Sequence, residues 1–481
     1  MRLDPSRLLH KLRATYWFVP SVMVTLAIGL SFVMPWLDQR HSLDPSGTFG
    51  WLGQTQTDGA RAVLVTVAGS IIGVTGTTFS ITMVAVSFAS ANFGPRLIAN
   101  FMRDRGNQIT LGTFIATFVY CLLVLRRVHN AANESASASY DAFVPHFSVA
   151  VALLLALASV GVLIYFIHHV PETINIDRLV AQIGRRLRRD VVDLFPDPEK
   201  ARGPEPPPGE GLWSARLEGR RRVPLTPRRS GFVQGIDLER LVELCDERSL
   251  LVRVQYRPGD FVGEEDALFE LWARDERRGP GDGGGGAPTR DDTGGEGSLF
   301  EKLRDCVEIG YQRTAHQNCL FLADQLVEVI GRAMSPGIND PFTAIACLDW
   351  LKGALVEFAE REERQGLAPE DLPVRIRPID FERLLATAFD RTRQYVCADR
   401  NVALHAMTLL AETAARAGRE EHREALRRRM DELRAASAAS LADDVGGREV
   451  ARRHAEAVRL LDDPAARARL RDGAGWFGGS G

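Results

Sequence analysis

A stretch of an otherwise apolar run, GSIIGVTGTTFSITMVAVSFASANFGPR (Gly69 to Arg96), holds no acid or base before its last residue yet is crowded with hydroxyls and glycine. Positions 69, 73, 76, 80, 83, 87, 90 and 94 repeat at helical spacing and read Gly, Gly, Gly, Ser, Met, Ser, Ser, Gly. Such a helix can do one of two things in a membrane. Small residues let a second helix approach closely, with Gly69, Gly73 and Gly76 as packing positions and Thr hydroxyls bonded back to their own turn. Alternatively, one flank faces water in an oligomeric pore, with Thr75, Thr78, Ser80, Thr82 and Ser87 wetted and Phe79 or Met83 forming a constriction. Gly94 and Pro95 should break or kink the helix at its end.

Other reactive groupings are sparse. Asp324, Glu328 and Asp340 form a conceivable cation site, but Glu328 with Arg332 is an ordinary i, i+4 pair and Asp340 is placed to cap a helix. His168 and His169 adjoin each other and point in different directions on a helix, so an interfacial pair fits better than a metal site. The six cysteines, Cys121, Cys245, Cys306, Cys319, Cys347 and Cys397, contain no CxxC and read as free thiols. There is no GxSxG, GxxxxGK[ST] or HExxH. Neither an enzyme nor a metal or other cofactor is therefore expected. The net charge of −3 argues neither for nor against nucleic acid, and none is expected as a partner.

The elements that must position these residues are membrane helices. The mean hydropathy of −0.10 averages two unlike parts. Four uncharged runs, Trp17 to Leu37, about Ala62 to Ala91, Ile109 to Leu125 and Phe147 to Val170, approach or exceed the roughly 20 residues that cross a bilayer. The first is too long, and too lacking in a small-residue cleavage site, to read as a signal peptide. Arg and Lys cluster before the first run, between the second and third (Arg96, Arg103, Arg105), and after the fourth (Arg178, Arg185, Arg186, Arg188, Arg189). Both termini are then cytoplasmic in a bacterial inner membrane; Arg126 and Arg127 run against the trend. The absence of an intramembrane ionisable residue argues against a coupled transporter.

A transmembrane domain over 1–170 should be followed by a basic helix and Pro-rich linker (171–211), a small barrel- or sandwich-like α+β domain (212–275), a flexible Gly-rich loop (276–298), a helical domain (299–470) and a disordered tail (471–481). SGFVQGI and LLVRVQY read as strands flanking the helix DLERLVELCDE, and RPGDFVGEEDALFELWA as a turn and last strand. The last part resembles biotinyl and lipoyl hairpins, but no lysine sits at its tip. SPGINDP (Ser335, Pro336, Gly337, Ile338, Asn339, Asp340, Pro341) separates two helices, with Asp340 as cap and Pro341 at the first helical position.

Two resemblances follow from these residues. The small-residue span, the Gly-Pro break and the basic amphipathic piece from Asn92 to Gln108 (Arg96, Leu97, Ile98, Phe101, Met102, Arg103) resemble in pattern the small-conductance mechanosensitive channels. SGFVQGID, YRPGDFV and RAMSPGINDPFTA, downstream of four spans, resemble a family of bacterial predicted membrane proteins catalogued as a domain of unknown function. That resemblance implies an inner-membrane location and brings no substrate or catalytic residue. The reading that remains is a homo-oligomeric channel-like protein embedded in lipid, with a large cytoplasmic part; the alternative is a non-conducting scaffold or sensor whose cytoplasmic helices bind partners.

Overall fold

The computed structural model describes residues 17–40, 57–94, 104–128, 145–195, 213, 216–274, 298–365, 373–441 and 444–471. The amphipathic piece after Gly94, the Pro-rich stretch and the Gly-rich loop lie almost wholly outside them, as does the C-terminal tail. The chain divides into two compact units, Met1–Leu179 and Val180–Gly481.

In the first unit, four helices are long and apolar enough to cross a membrane. They are α1 (Phe18–Arg40), α2 (Thr57–Phe93), α3 (Arg105–Leu125) and α4 (His146–Ile174). At 37 residues, α2 is about 55 Å long. The central helix is α3, with 61% of its most apolar window buried against 22–28% for the others. Gly112 is what lets α1 approach it: a Cβ there would lie 2.6 Å from Met23 Sδ and 3.2 Å from the Pro20 backbone. Across the other side, the Thr117 and Ser159 hydroxyls meet at 3.1 Å and join α3 to α4.

One end of this bundle is tied by a residue of α1. The Asp38 carboxylate accepts from the backbone N–H groups of Phe147 (2.7 Å) and Ser148 (3.1 Å) and from the Ser148 hydroxyl (2.6 Å). It thereby caps α4, whose own preceding residue, Pro145, supplies no side-chain cap. The buried Tyr120 hydroxyl of α3 donates to the Ser148 carbonyl at 3.1 Å, so α1, α3 and α4 share one joint. Asp38→Ala should cost about 1–3 kcal/mol, the loss of a cap together with a charge-assisted bond. A denaturant midpoint for the detergent-solubilised protein would show it, and an unchanged midpoint would remove this role.

Between the units' sequences runs α5 (Ile176–Val192), whose buried residues Val180, Ile183, Leu187 and Val191 recur at helical spacing. The second unit then opens with two small sheets. Strands β1 (Arg220–Leu225), β2 (Gly231–Ile236), β3 (Leu251–Val254), β4 (Phe261–Val262), β5 (Phe269–Arg274), β6 (Val307–Gly310) and β7 (Val374–Ile376) assemble in the orders β1-β5-β3-β7 and β4-β2-β6. Pro224 sits in an edge strand, the position in a sheet where proline is tolerated. Helix α6 (Leu238–Glu247) joins β2 to β3, with Asp237 accepting from Arg240 N as its cap. One apolar core takes Val233 and Val262 from one sheet and Val252, Phe269 and Leu271 from the other.

The expectation of helices alone beyond residue 298 is corrected here. β6, directly after helix α7 (Leu299–Asp305), pairs with β2, and β7 lies parallel to β3. Phe300, Leu303, Val307 and Val374 complete the sheet core. These strands are short, four and three residues, and β7 is bracketed by Pro373 and Pro378. Only a preformed partner edge selects the extended conformation there.

Helices α8 (Cys319–Ala333) and α9 (Pro341–Gln365) pack across the SPGINDP turn. After α10 (Phe381–Leu385) comes one π turn, Ala386–Asp390, then α11 (Arg393–Val396) and the helices α12 (Arg400–Arg416), α13 (Glu420–Ser440), α14 (Asp444–Asp462) and α15 (Pro464–Arg471). Helix α12 is the hub, packing against α9, α13, α14 and α15 through Ala403, Ala406, Met407, Leu410 and Ala414.

Candidate functional site

The residues singled out on α2 do not share a face. Ala60, Leu64, Ala68, Ile71, Thr75, Thr78, Thr82 and Ala89 are buried and recur at helical spacing, which defines the side packed on α3 and α4. Thr75 donates to Ile71 O at 2.6 Å and Thr82 to Thr78 O at 2.9 Å, so those hydroxyls are spent on their own helix. The small-residue seam lies on another side. A Cβ added at Gly69, Gly73 or Gly76 would meet nothing within 4 Å, and Ser80 and Ser87 are exposed. Phe79 is exposed and Met83 half-buried. Among the described residues nothing packs on Gly69, Gly73 and Gly76, whereas Thr75, Thr78 and Thr82 are buried.

Gly94, with φ of +116°, ends α2 in a conformation that favours glycine, and Pro95 lies outside the described residues. Asp104 caps α3 by accepting from Asn107 N at 2.9 Å. The same carboxylate oxygen lies 2.9 Å from His169 Nε2, and the His169 ring stacks on Tyr165 at 4.9 Å. Gly106 makes room: a Cβ there would fall 2.6 Å from His169 Nε2. The two histidines thus part ways, His168 being 83% exposed beside Glu172 at 3.5 Å. Asp104 went unnoticed in the sequence, although an aspartate before an apolar helix is a capping signal.

The acids once considered as a cation site are each otherwise engaged. Asp324, only 4% exposed, pairs with Arg313 at 2.7 Å and with Arg391. Glu328 faces Arg332 at 3.8 Å. Asp340 accepts from Thr343 N (3.1 Å) and Thr343 Oγ1 (2.6 Å), capping α9. In the SPGINDP turn, Asn339 takes φ of +48°, its N–H and that of Ile338 return to Ser335 O, and Asp340 N reaches Ala333 O at 2.7 Å. Ile338 and Phe342 are left exposed at this tip, Phe342 at 76%. In YRPGDFV, Gly259 holds φ of +97° against the buried Asn318 side chain.

All six cysteines are free and buried. Burial pushes the Cys245 and Cys319 thiols up to about 12, which leaves almost no thiolate at neutral pH.

Residues 13–412 match a family model described as a predicted membrane protein, DUF2254. The chain belongs to the DUF2254 family. This establishes as membership what SGFVQGID, YRPGDFV and RAMSPGINDPFTA had shown as resemblance. Uncharacterized proteins of Mycobacterium bovis and Mycobacterium tuberculosis are each 30% identical to the chain over 358 residues, 74% of this chain and 62% of theirs. The chain thus spans less than two thirds of the length of these curated relatives. No solved structure matches it. The DUF2254 match contains the seam, Asp38, Asp104 and the SPGINDP turn, and stops within α12.

Proposed function

We propose that the protein is a homo-oligomeric, channel-like protein of a bacterial inner membrane, without enzymatic activity, in which α2 lines the pathway. One observation carries the reading. Among the described residues nothing lies within 4 Å of a Cβ at Gly69, Gly73 or Gly76, and Ser80 and Ser87 are exposed, although such faces are built for close helix approach or for water. Four spans in one protomer are too few to enclose a pathway lined by α2, so several copies are needed around an axis. Under this reading the wetted set shrinks to Ser80 and Ser87, with Phe79 and Met83 at its edges. The Arg distribution orients the second unit to the cytoplasm. A partner-binding scaffold is the second reading, favoured by the exposed Ile338 and Phe342 at the SPGINDP tip.

Purified protein in planar bilayers tests the first. Because the native cysteines are buried, a small charged thiol reagent reports introduced ones. Ser80→Cys and Ser87→Cys should react and the reagent should lower the current at least several-fold, whereas Thr78→Cys should stay unreactive. Absence of unitary currents, or currents indifferent to a fully modified Ser87→Cys protein, would sink the channel reading.

A further inference from the structure

The four-helix unit carries a groove on a different side from the seam. It runs between α1, α3 and α4, has a volume of about 540 Å³, and is lined by Met23, Leu26, Leu30 and Val33 of α1, Ala116 of α3 and Leu155 of α4. Two threonines also reach it, but Thr25 donates to Ser21 O at 2.8 Å and Thr113 to Ile109 O at 2.9 Å. Their hydroxyl protons are spent on their own helices, so the lining suits an occupant without polar atoms. Gly29 keeps the α1 wall open, since among the described residues nothing lies within 4 Å of a Cβ placed there.

The dimensions select the occupant. From Met23 to Val33 the groove follows α1 for about 15 Å, half of a hydrocarbon layer of about 30 Å. Spread over that length, its volume leaves a section roughly 6 Å across, too narrow for a second helix, which with side chains measures about 10–12 Å. A single hydrocarbon chain, spanning one leaflet, fits both measures.

Beyond the groove the chemistry changes. The same α1 face continues past Val33 to Trp36 and Arg40, at helical spacing, and the Arg40 guanidinium lies 4.2 Å from the Trp36 ring centroid. The Arg127 guanidinium, two residues beyond α3, lies 5.8 Å from the ring centroid of Phe32, the neighbour of Val33. Both arginines are exposed, as is Arg126, while Asp38, the acid at this end of α1, is committed to the first turn of α4. An apolar groove one chain wide, with arginines at one end, has the layout of a phospholipid, acyl chain below and phosphate above.

We propose that the groove between α1, α3 and α4 holds one acyl chain of an anionic phospholipid whose phosphate is bound by Arg40 and Arg127. This gives a task to Arg127, one of the two arginines that run against the orienting trend. The site lies wholly within the four-helix unit and stands whether or not the protein conducts.

Native mass spectrometry of the full chain in mild detergent, titrated with phosphatidylglycerol, tests it by counting bound lipids. One phosphatidylglycerol per chain should bind ahead of the rest, and phosphatidylcholine, whose headgroup carries its own cation, should bind there more weakly. Gly29→Phe, which grows into the groove, should remove that first step. Arg40→Gln/Arg127→Gln should weaken it roughly 30-fold, and either substitution alone roughly fivefold. Melting followed by circular dichroism in lipid-free detergent should be largely unchanged for the arginine variants, whose altered side chains are exposed. A folded Gly29→Phe protein that keeps the first lipid, or a double glutamine variant that titrates like the unmutated protein, would overturn the proposal. So would equal affinity for the two lipids. Full displacement by soluble glycerol phosphate would make this a site for free phosphate, and a lipid expelled whenever copies associate would assign the groove to a second copy; either result would equally defeat it.

Discussion

On the channel reading, Gly73→Leu should dissociate the homo-oligomer in mild detergent while leaving each four-helix bundle folded. Among the described residues the added Cβ meets nothing within 4 Å, so the substitution starts from open space. On the channel reading the effect comes through another copy. Overpacking a close helix contact costs about 1–3 kcal/mol, which is roughly 5- to 150-fold in each pairwise association constant. Gly112→Leu supplies the contrast. Its Cβ would lie 2.6 Å from Met23 Sδ and close to the Pro20 backbone, so it should unfold the bundle itself. Light scattering of the purified variants, with helicity followed in parallel, separates the two outcomes. An oligomer unchanged by Gly73→Leu would mean that the seam faces lipid, and the assembly built on it would fall.

In the second unit the largest loss should come from Asp324→Ala. The carboxylate is 4% exposed and lies between Arg313 and Arg391. Removing one member of a buried pair leaves an uncompensated charge and typically costs about 3–5 kcal/mol. The lower end applies, because Arg391 is half-exposed and can turn to water, whereas Arg313 keeps a buried Nε without a partner. Glu328→Ala, which breaks only the i, i+4 pair with Arg332, should cost less than about 1 kcal/mol. Thermal unfolding followed by near-ultraviolet dichroism checks both. Equal losses would show that Asp324 is no keystone.

The membrane helices were legible because an uncharged run of sufficient length has one inexpensive conformation in lipid. Local capping was legible too: Asp340 does what its position before Pro341 implied. What a sequence conceals is which side of a helix its neighbours take. Thr75 and Ser80 looked interchangeable as pore candidates, yet the first is buried against the bundle and the second faces away. Partners far apart in the chain were equally hidden. Nothing near Asp38 announces that it will cap a helix beginning at His146, and the extended stretch at Val374 becomes a strand only once β3 offers its edge.

The length of α2 has its own consequence. From Ala62 to Phe93 it carries no charge, about 48 Å of helix against a hydrocarbon layer of about 30 Å. Tilt alone would have to reach about 50° to hide that excess, beyond the usual range of up to about 40°. The surplus must therefore be met by deforming the surrounding lipid or by shielding within an assembly, and the balance shifts with every ångström of bilayer thickness. A segment so overlong for its solvent inclines further as the bilayer thins.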